Sequence, residues 1–432
     1  MSKRPWLMRT AKLLVVAALM VLVFSSVPWQ DRLSWRRGKD EERSEQVRIE
    51  GAWNRDDVVV SNEGGTRTVL GGAQPDGTVL EVVPGLRTYW SNLDGWLFAL
   101  GAFCYFLTVL IAGTRWWWLL RVNGMNVRLN EALRFTWIGT FFNTVVPGAT
   151  GGDLIKAIYI MKHCPGHRVP ALVSVIVDRV LGLASLAILA AVVVLYALMR
   201  TQTQDSHDRF LKLAVAIWGV MFGVALLGAF AFSKRLRSLI RLKALLERLP
   251  ARISNLLRLV DDAVFFYRGH KSVIAWSLVA GIGNHIVSVA SAMWIGEALG
   301  VGMPRTEYFV LIPVINIISA VPILPNGWGV GEWLYQSLFS QFGAAYVVGA
   351  GDPAHVMGTR GVALSVLYRL HLTAWSLLGG LFVLFEKDRV TKADIEQEVA
   401  LEEREQRGNE AEDHDDDDDD DASSADGPRA TG

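Results

Sequence analysis

Helix-breaking and ionisable residues occur together in the stretch 132–161, which is otherwise apolar. A helix cannot continue through Pro147–Gly152, so backbone N–H and C=O groups are freed there. In a membrane such groups are tolerated only inside the protein or beside a water-filled cavity. A helix that begins near Asp153 would point N–H groups into that cavity, where an anion such as phosphate binds. This first cluster comprises Asn143, Pro147, Gly151, Gly152, Asp153 and Lys156, the last of which lies one turn beyond Asp153 on the same face.

A second apolar stretch, 306–350, is interrupted by proline and glycine in the same way. Its glycines superficially resemble a nucleotide-binding loop, but no strand precedes them and no Gly-Lys-Ser/Thr sequence follows them. We therefore interpret this stretch as a second broken hairpin, with an acidic residue at the start of its returning helix. The second cluster comprises Pro322, Gly327, Gly329 and Glu332.

Asp178 and Arg179 lie about two turns into another apolar run. A charge inside a bilayer is costly, so each of these residues calls for a reason. Adjacent helix residues point in different directions, so the two need not pair with each other. Asp178 could meet Lys156 or an arginine elsewhere in the chain. The alternative to a functional role is a buried ion pair that fixes helix register.

Two more ionisable residues lie within apolar runs. Arg369 is well inside the last run and needs an acid, for which Glu332 and Asp178 are the candidates. His285 lies near the middle of its run and is interpreted as an interior hydrogen-bond donor, with a proton relay as the alternative. Trp116–Trp118 lie beside flanking arginines and are interpreted as an interfacial aromatic belt.

The composition of the whole chain is that of a membrane protein. It has 432 residues, 51% of them hydrophobic, with 43 Lys and Arg against 43 Asp and Glu. Many of the acids lie in the tail, so the remainder is basic and more apolar still. This excludes a disordered, collagenous or ordinary cytosolic protein. A bilayer core needs about 20 largely apolar residues per helix, and the candidate spans are 13–27, 97–120, 171–199, 213–232, 272–296 and 361–385.

The distribution of positive charge orients these spans. Residues 233–271 contain ten Lys and Arg against three acids, so this amphipathic basic loop is predicted to be cytoplasmic. The basic N-terminus is predicted to be cytoplasmic as well. Segment 132–161 then enters and returns on the cytoplasmic side, whereas 306–350 does so from outside. This order of span, broken segment and span, repeated with opposite orientation, indicates an inverted repeat, although two full helices per segment would preserve the orientation equally.

The fold class predicted is an all-α polytopic membrane protein with about six full transmembrane helices, two broken segments that are re-entrant or paired, and a small extracytoplasmic β insertion. We divide the chain into an anchor helix at 1–27, a β module at 28–94, a transmembrane domain at 95–388 and a disordered acidic tail at 389–432. In the β module DVVVS, RTVLG and TVLEVV are strand-like. Such short strands bury little core, so the module must lean on the membrane domain or on a partner.

The acidic tail contains the aspartate run 415–421. This run could hold calcium loosely, but a flexible chain fixes no coordination geometry, so we interpret it as solvated. We expect no metal and no cofactor.

The two clusters, in this order and at this separation, resemble the flippase-like membrane domain of the lysylphosphatidylglycerol synthase family over roughly residues 95–388. The resemblance rests on FFNTVVPGATGGDLIKAIYI, ALVSVIVDRVLGLASL, VPILPNGWGVGEW and LYRL. Lys156 and Asp178 stand where the family usually has Arg and Glu, and Asn326 and Gly331 are further departures. Charge is kept at the first two positions, but lysine lacks bidentate recognition of phosphate. The resemblance implies substrate-binding roles for Asn143, Pro147, Gly151, Gly152, Asp153, Lys156, Asp178, Arg179, Pro322, Gly327, Gly329, Glu332 and Arg369.

The resemblance also implies a lipid flippase or lipid-transport facilitator that moves an amphipathic, phosphate-bearing lipid between leaflets. The full synthases carry a soluble aminoacyl-transferase domain, and the roughly 45 residues after Phe385 leave no room for one. We therefore expect no enzyme activity. The expected location is a bacterial-type cytoplasmic (inner) membrane, with both termini in the cytoplasm.

Two alternatives belong to other functional classes. One is an accessory subunit of cell-envelope glycolipid or polyprenyl-phosphate biosynthesis, which would recruit an envelope-biosynthesis enzyme through the β module. The other is a membrane-embedded lipid transferase that uses Asp153 or Glu332 as its base. The expected partners are membrane lipids, anionic or phosphate-bearing, and we expect no nucleic acid.

Overall fold

The computed structural model describes residues 30–37, 41–55, 57–62, 64–73, 78–145, 151–164, 167–200, 204–232, 267, 269–319, 330–347 and 352–385. The predicted anchor helix, most of the basic loop and the acidic tail lie outside these residues, as do Pro147, Pro322, Gly327 and Gly329.

Six strands precede the helices in the described part of the chain. They are β1 (Asp31–Arg37), β2 (Glu41–Glu50), β3 (Asp57–Asn62), β4 (Gly65–Leu70), β5 (Gly72–Ala73) and β6 (Val79–Val83). The helices are α1 (Leu86–Ser91), α2 (Gly95–Val122), α3 (Leu129–Val145), α4 (Gly151–His163), α5 (Arg168–Arg200), α6 (Gln204–Phe232), α7 (Lys271–Ala298), α8 (Arg305–Ser319), α9 (Val330–Gly343) and α10 (Pro353–Phe385). A 3₁₀ turn, Ala344–Tyr346, follows α9.

The strands form one antiparallel sheet in the order β4-β3-β2-β1-β6-β5. The three predicted strands lie in β3, β4 and β6. The sequence analysis does not predict β1 and β2, because most of their residues are polar. Alternate side chains nevertheless face a small core, which includes Leu33, Val47, Ile49, Val58, Val60, Leu80 and Val82.

A buried carboxylate joins this sheet to helix α1. Asp31 is 6% exposed and its Oδ1 accepts the backbone N–H of Gly85 at 2.6 Å. Its Oδ2 accepts the N–H of Ile49 at 2.8 Å and the hydroxyl of Thr88 at 2.9 Å. Three donors therefore offset the desolvation of this one charge.

The sheet leans on the membrane domain, as the size of its strands requires. Arg360 of α10 donates from Nη2 to the carbonyl of Asn54 at 2.6 Å and from Nη1 to the carbonyl of Val301 at 2.8 Å. The side-chain amide of Asn54 donates to the carbonyl of Gly300 at 3.2 Å. One arginine thus joins the sheet, the α7–α8 turn and the first half of α10.

Within the described ranges, four helices, α2, α5, α7 and α10, are long and apolar enough to cross a membrane. They coincide with four of the six predicted spans. The predicted span 213–232 falls on α6, whose described apolar stretch is Phe210–Gly223. The span 13–27 lies outside the described residues. Several helices of this length and apolarity are consistent with a multi-pass membrane protein, whereas six full spans stay a prediction.

Each broken stretch forms a pair of shorter helices, α3 with α4 and α8 with α9. The packing of the first half, α2 to α5, matches that of the second half, α7 to α10. Within each half the first helix packs on the second and fourth, the second on the third, and the third on the fourth. The contacts between the halves are equivalent too. The second helix of each half packs on the fourth helix of the other, α3 on α10 and α8 on α5. The fourth helix of each half packs on the first helix of the other, α5 on α7 and α10 on α2.

The two leading helices, α2 and α7, run antiparallel. The hydroxyl of Ser291, late in α7, donates at 2.7 Å to the carbonyl of Gly101, early in α2. At the other end, a Cβ on Gly281, early in α7, would lie 3.0 Å from the guanidinium of Arg115, late in α2. Equivalent helices of opposite direction, together with the exchange of neighbours, are what an inverted repeat requires.

Asp31→Asn tests the carboxylate that joins the sheet to α1. The amide keeps the shape but replaces one acceptor with a donor that faces other donors. We expect the free energy of unfolding of the β module to fall by about 2 kcal/mol. The backbone N–H groups of Ile49 and Gly85 should therefore exchange with deuterium about thirtyfold faster. Asp57→Asn, at an exposed strand position, is the matched control. Unchanged exchange in Asp31→Asn would contradict this account.

Candidate functional site

Asp153 of α4 and Arg179 of α5 form an ion pair next to the first break. Asp153 lies in the first turn of α4, which begins at Gly151. A carboxylate at this position is stabilised by the N-terminal end of the helix dipole. The two partners differ in accessibility, because the side chain of Arg179 is 50% exposed and that of Asp153 only 16%. The arginine is thus the more accessible of the two partners, and the carboxylate is largely shielded.

Behind this pair lies a buried network centred on Asp178. Its Oδ1 accepts the Nε–H of Arg115 at 2.9 Å, and its backbone carbonyl accepts Nη2 of the same guanidinium at 3.1 Å. The ammonium of Lys156 is 3.5 Å from Oδ2. All three side chains are at most 10% exposed. The predicted partners of Asp178, a lysine and an arginine, are therefore both present.

Trp116 packs against the ammonium of Lys156 in this network. Its ring lies 3.8 Å from the ammonium of Lys156, close enough for a cation–π interaction. Its indole N–H donates to the hydroxyl of Ser174 at 3.2 Å. The side chain is completely buried, so the prediction that Trp116 belongs to an interfacial belt is wrong. Trp118 is 39% exposed, and its place in such a belt stays a prediction.

Two glycines and a histidine surround the guanidinium of Arg115. A Cβ on Gly182 would lie 3.3 Å from one of its nitrogens, and Gly281 approaches from α7. The ring Nε2 of His285 forms a 3.0 Å hydrogen bond with the carbonyl of Gly182. His285 thus has the interior hydrogen bond that the sequence analysis favoured.

Asn143 and Gly152 hold the two arms of the first broken segment together. The N–H of Gly152 donates to Oδ1 of Asn143 at 2.9 Å, so Asn143 satisfies an N-terminal amide of α4 from the end of α3. A Cβ on Gly152 would overlap the carbonyl oxygen of Gly139. Only glycine permits this approach of the two helices, which sets the position of Asp153.

The second half repeats the ion pair. Glu332, in the first turn of α9, lies 3.4 Å from Nε of Arg369 on α10, and their side chains are 19% and 17% exposed. A Cβ on Gly331 would overlap the guanidinium of Arg369, so this glycine makes room for the pair. Glu332 is therefore the acid that Arg369 was predicted to need.

The two halves differ in the residues that flank their ion pairs. Lys156 follows Asp153 by three residues, and Tyr335 follows Glu332 by three. Asp178 precedes Arg179, and Tyr368 precedes Arg369. Charges in the first half thus correspond to buried tyrosines in the second.

The described site residues form two ion-paired groups, Asp153, Lys156, Asp178 and Arg179 in the first half and Glu332 and Arg369 in the second. Sequence reasoning missed Arg115 as a site residue. The signal available for it was a charge within an apolar run, five residues before the run ends. The part of the chain that the structure describes contains no group of three or more His, Cys, Asp or Glu residues able to hold a metal.

Two substitutions in the buried network should change stability differently. Asp178→Asn leaves two buried cations without their carboxylate and should reduce the free energy of unfolding by about 3–5 kcal/mol. The network has two cations and one carboxylate, so Lys156 is the surplus cation. Lys156→Met leaves the Arg115–Asp178 pair with no net charge and should change the free energy of unfolding by less than about 1 kcal/mol. Thermal unfolding of the purified proteins in one detergent measures both. Equal losses of stability in the two variants would refute the assignment of Lys156 as the surplus charge.

The chain is similar to known membrane proteins. The profile of the lysylphosphatidylglycerol synthase TM region matches residues 83–351, which is more than half of the chain. A UPF0104 membrane protein of Pyrococcus horikoshii is 23% identical over 300 residues, covering 65% of this chain and 84% of that protein. No solved structure matches. The chain belongs to the family of the lysylphosphatidylglycerol synthase transmembrane region.

Proposed function

We propose that this protein moves a phosphate-bearing lipid between the two leaflets of the membrane. The observation that carries the proposal is a surplus of positive charge beside the first break, where two of the three cations are buried. Three cations, Arg115, Lys156 and Arg179, surround two carboxylates, Asp153 and Asp178. An uncompensated charge at membrane depth is expensive, and an anionic headgroup would compensate it.

The exposed guanidinium of Arg179 is the proposed point of entry for the headgroup. A phosphate that approaches Arg179 competes with the shielded carboxylate of Asp153 for the same donors. Arginine suits this exchange because its planar fork binds carboxylate and phosphate in similar bidentate geometry. Lys156 and the N–H groups at the start of α4 would then attract the phosphate inward.

The symmetry of the two halves supplies the second element of the proposal. We take α2–α5 and α7–α10 as an inverted repeat whose broken segments enter from opposite sides, the first from the cytoplasm. In such repeats the substrate site lies near the midplane, and rocking of one half against the other exposes it alternately. The Glu332–Arg369 pair would perform on the outer side the exchange that Asp153–Arg179 performs on the inner side.

The proposed setting is the inner membrane of a bacterial-type cell, with both termini in the cytoplasm. The sequence contains no ATPase motif, so transport would follow a gradient or a coupled synthesis. We propose transport without covalent turnover of the lipid. Release of a modified lipid by the isolated protein would favour a transferase instead.

Arg179→Ala tests the entry step. Loss of the exposed guanidinium should slow the movement of a labelled anionic phospholipid in reconstituted vesicles by about tenfold or more. The transport rate of Arg179→Lys should lie between those of the wild type and Arg179→Ala, because lysine keeps the charge and loses the planar fork. Arg200→Ala, at the end of the same helix, is the control for removing an exposed arginine. Wild-type rates in Arg179→Ala, with normal folding, would exclude the proposed entry step.

Asp153→Asn tests the competition for Arg179. Without its carboxylate partner the guanidinium is available to phosphate, so the affinity for an anionic phospholipid should rise by about tenfold. Transport should nevertheless slow, because the carboxylate no longer displaces the phosphate on release. Native mass spectrometry measures the affinity and the vesicle assay measures the rate. A fall in both, or no change in either, would contradict the exchange.

A further inference from the structure

A second group of polar side chains lies buried where α2, α7 and α10 meet. The hydroxyl of Tyr368 is 3.3 Å from that of Ser288, and the ring of His371 packs edge-on against Tyr105 with centroids 5.3 Å apart. Asn284 lies one turn before Ser288, and Ser365 lies one turn before Tyr368. We call this set the neutral cluster; its members are Tyr105, Asn284, Ser288, Ser365, Tyr368 and His371.

Three buried atoms of the neutral cluster have no hydrogen-bond partner among the described residues. They are Nε2 of His371, Oδ1 of Asn284 and Oγ of Ser365. His371 is 4% exposed and Ser365 is 1% exposed. Buried polar atoms are nearly always paired, so three unpaired atoms on residues within one helical turn of the Ser288–Tyr368 contact point to a missing partner. Such a partner must donate, because the amide oxygen accepts and Nε2 of His371 also accepts while Nδ1–H donates to the carbonyl of Tyr368; the hydroxyl of Ser365 can do either.

Hydroxyl groups meet this requirement without bringing in a charge. An ammonium also donates, but none of the members of the neutral cluster is an acid that could compensate its charge. The surroundings are aromatic, since Phe98 and Tyr105 pack around His371. A ligand subsite typically combines such apolar walls with a few polar atoms that fix orientation. The neutral cluster therefore suits an uncharged group that bears several hydroxyls.

The neutral cluster and the buried network around Asp178, called the charged network below, both contact one face of α7. Gly281 approaches Arg115 of the charged network, and Ser288 contacts Tyr368 of the neutral cluster. Seven residues separate Gly281 from Ser288, which is two turns on the same face and about 10 Å of helix. A headgroup that carries a phosphate at one end and a hydroxylated group at the other could contact both.

The comparison of the two halves leads to the same division of roles. Lys156 and Asp178 have as their equivalents Tyr335 and Tyr368, both of which are buried hydroxyl-bearing residues. The first half therefore concentrates charge, and the second half concentrates neutral donors and acceptors.

We propose that the neutral cluster is the subsite for a polyol or sugar that is esterified to the phosphate of the transported lipid. The inference rests on the proposed function and specifies its substrate class. The hydroxyls could belong to the headgroup of a glycerophospholipid or to the sugar of a polyprenyl phosphate.

Binding of defined lipids to the full chain in detergent, followed by native mass spectrometry, tests the subsite. Phosphatidic acid has the phosphate alone, whereas phosphatidylglycerol, phosphatidylinositol and a polyprenyl phosphohexose add hydroxyls. At least one hydroxylated lipid should bind about tenfold or more tightly than phosphatidic acid, because a site built for hydroxyls rejects ligands that lack them. Whether the glycerophospholipids or the polyprenyl lipid show this preference identifies the source of the hydroxyls.

Two variants locate the preference in the neutral cluster. Tyr368→Phe keeps the ring and removes a hydroxyl, and His371→Phe keeps an aromatic side chain and removes the ring nitrogens. Each should weaken binding of the preferred hydroxylated lipid about tenfold without changing the affinity for phosphatidic acid. Tyr308→Phe removes another buried hydroxyl, from α8, and is the matched control. Equal affinities for all lipids in the wild type, or parallel losses for phosphatidic acid, would overturn the subsite.

The binding result and the transport result are separable. Selective binding without movement of the lipid in vesicles would refute the proposed function and leave the subsite standing. Movement of all lipids at one rate, without selective binding, would refute the subsite and leave transport standing. Binding of none of these lipids would refute both.

Discussion

The interior of the first half depends on one carboxylate. Asp178 holds the guanidinium of Arg115 and faces the ammonium of Lys156, with all three side chains shielded from solvent. Charges of this kind are stable at membrane depth only when paired and hydrogen-bonded. The surrounding helices are arranged accordingly, with glycines on α5 and α7 that admit the guanidinium and a tryptophan beneath the ammonium. This arrangement leaves one cation more than the carboxylates can neutralise.

The second half uses the same backbone arrangement with different chemistry. Each half places an acid in the first turn of the helix after the break and an arginine on the following long helix. Beyond this shared pair, lysine and aspartate in one half correspond to two tyrosines in the other. Two copies with the same packing can therefore bind different parts of one molecule, which a strictly symmetric pair could not do.

The sequence predicted those parts of the structure whose signal is local. The spans α2, α5, α7 and α10 are continuous apolar runs, and Asp153 and Glu332 stand directly after proline and glycine. Arg115 and Trp116 were misread because their position near the end of a run also fits an interface, and only packing against α5 and α7 distinguishes the two. Strands β1 and β2 were not predicted, because most of their residues are polar and the alternation of apolar and polar side chains is not visible in the sequence. The neutral cluster could not be predicted, since scattered Ser and Tyr residues in apolar helices have no distinctive spacing.

The residues around Lys156 explain why a lysine fits at this position. The family resemblance leads us to expect arginine there, and arginine would bring a planar fork toward Asp178. In this chain Arg115 already presents a fork from α2, with Nε and Nη2 both bonded to Asp178. The space that remains lies between the carboxylate and the face of Trp116, 3.8 Å from the ammonium. A compact point charge fits there, so the departure from the family pattern is matched by the arginine on the neighbouring helix.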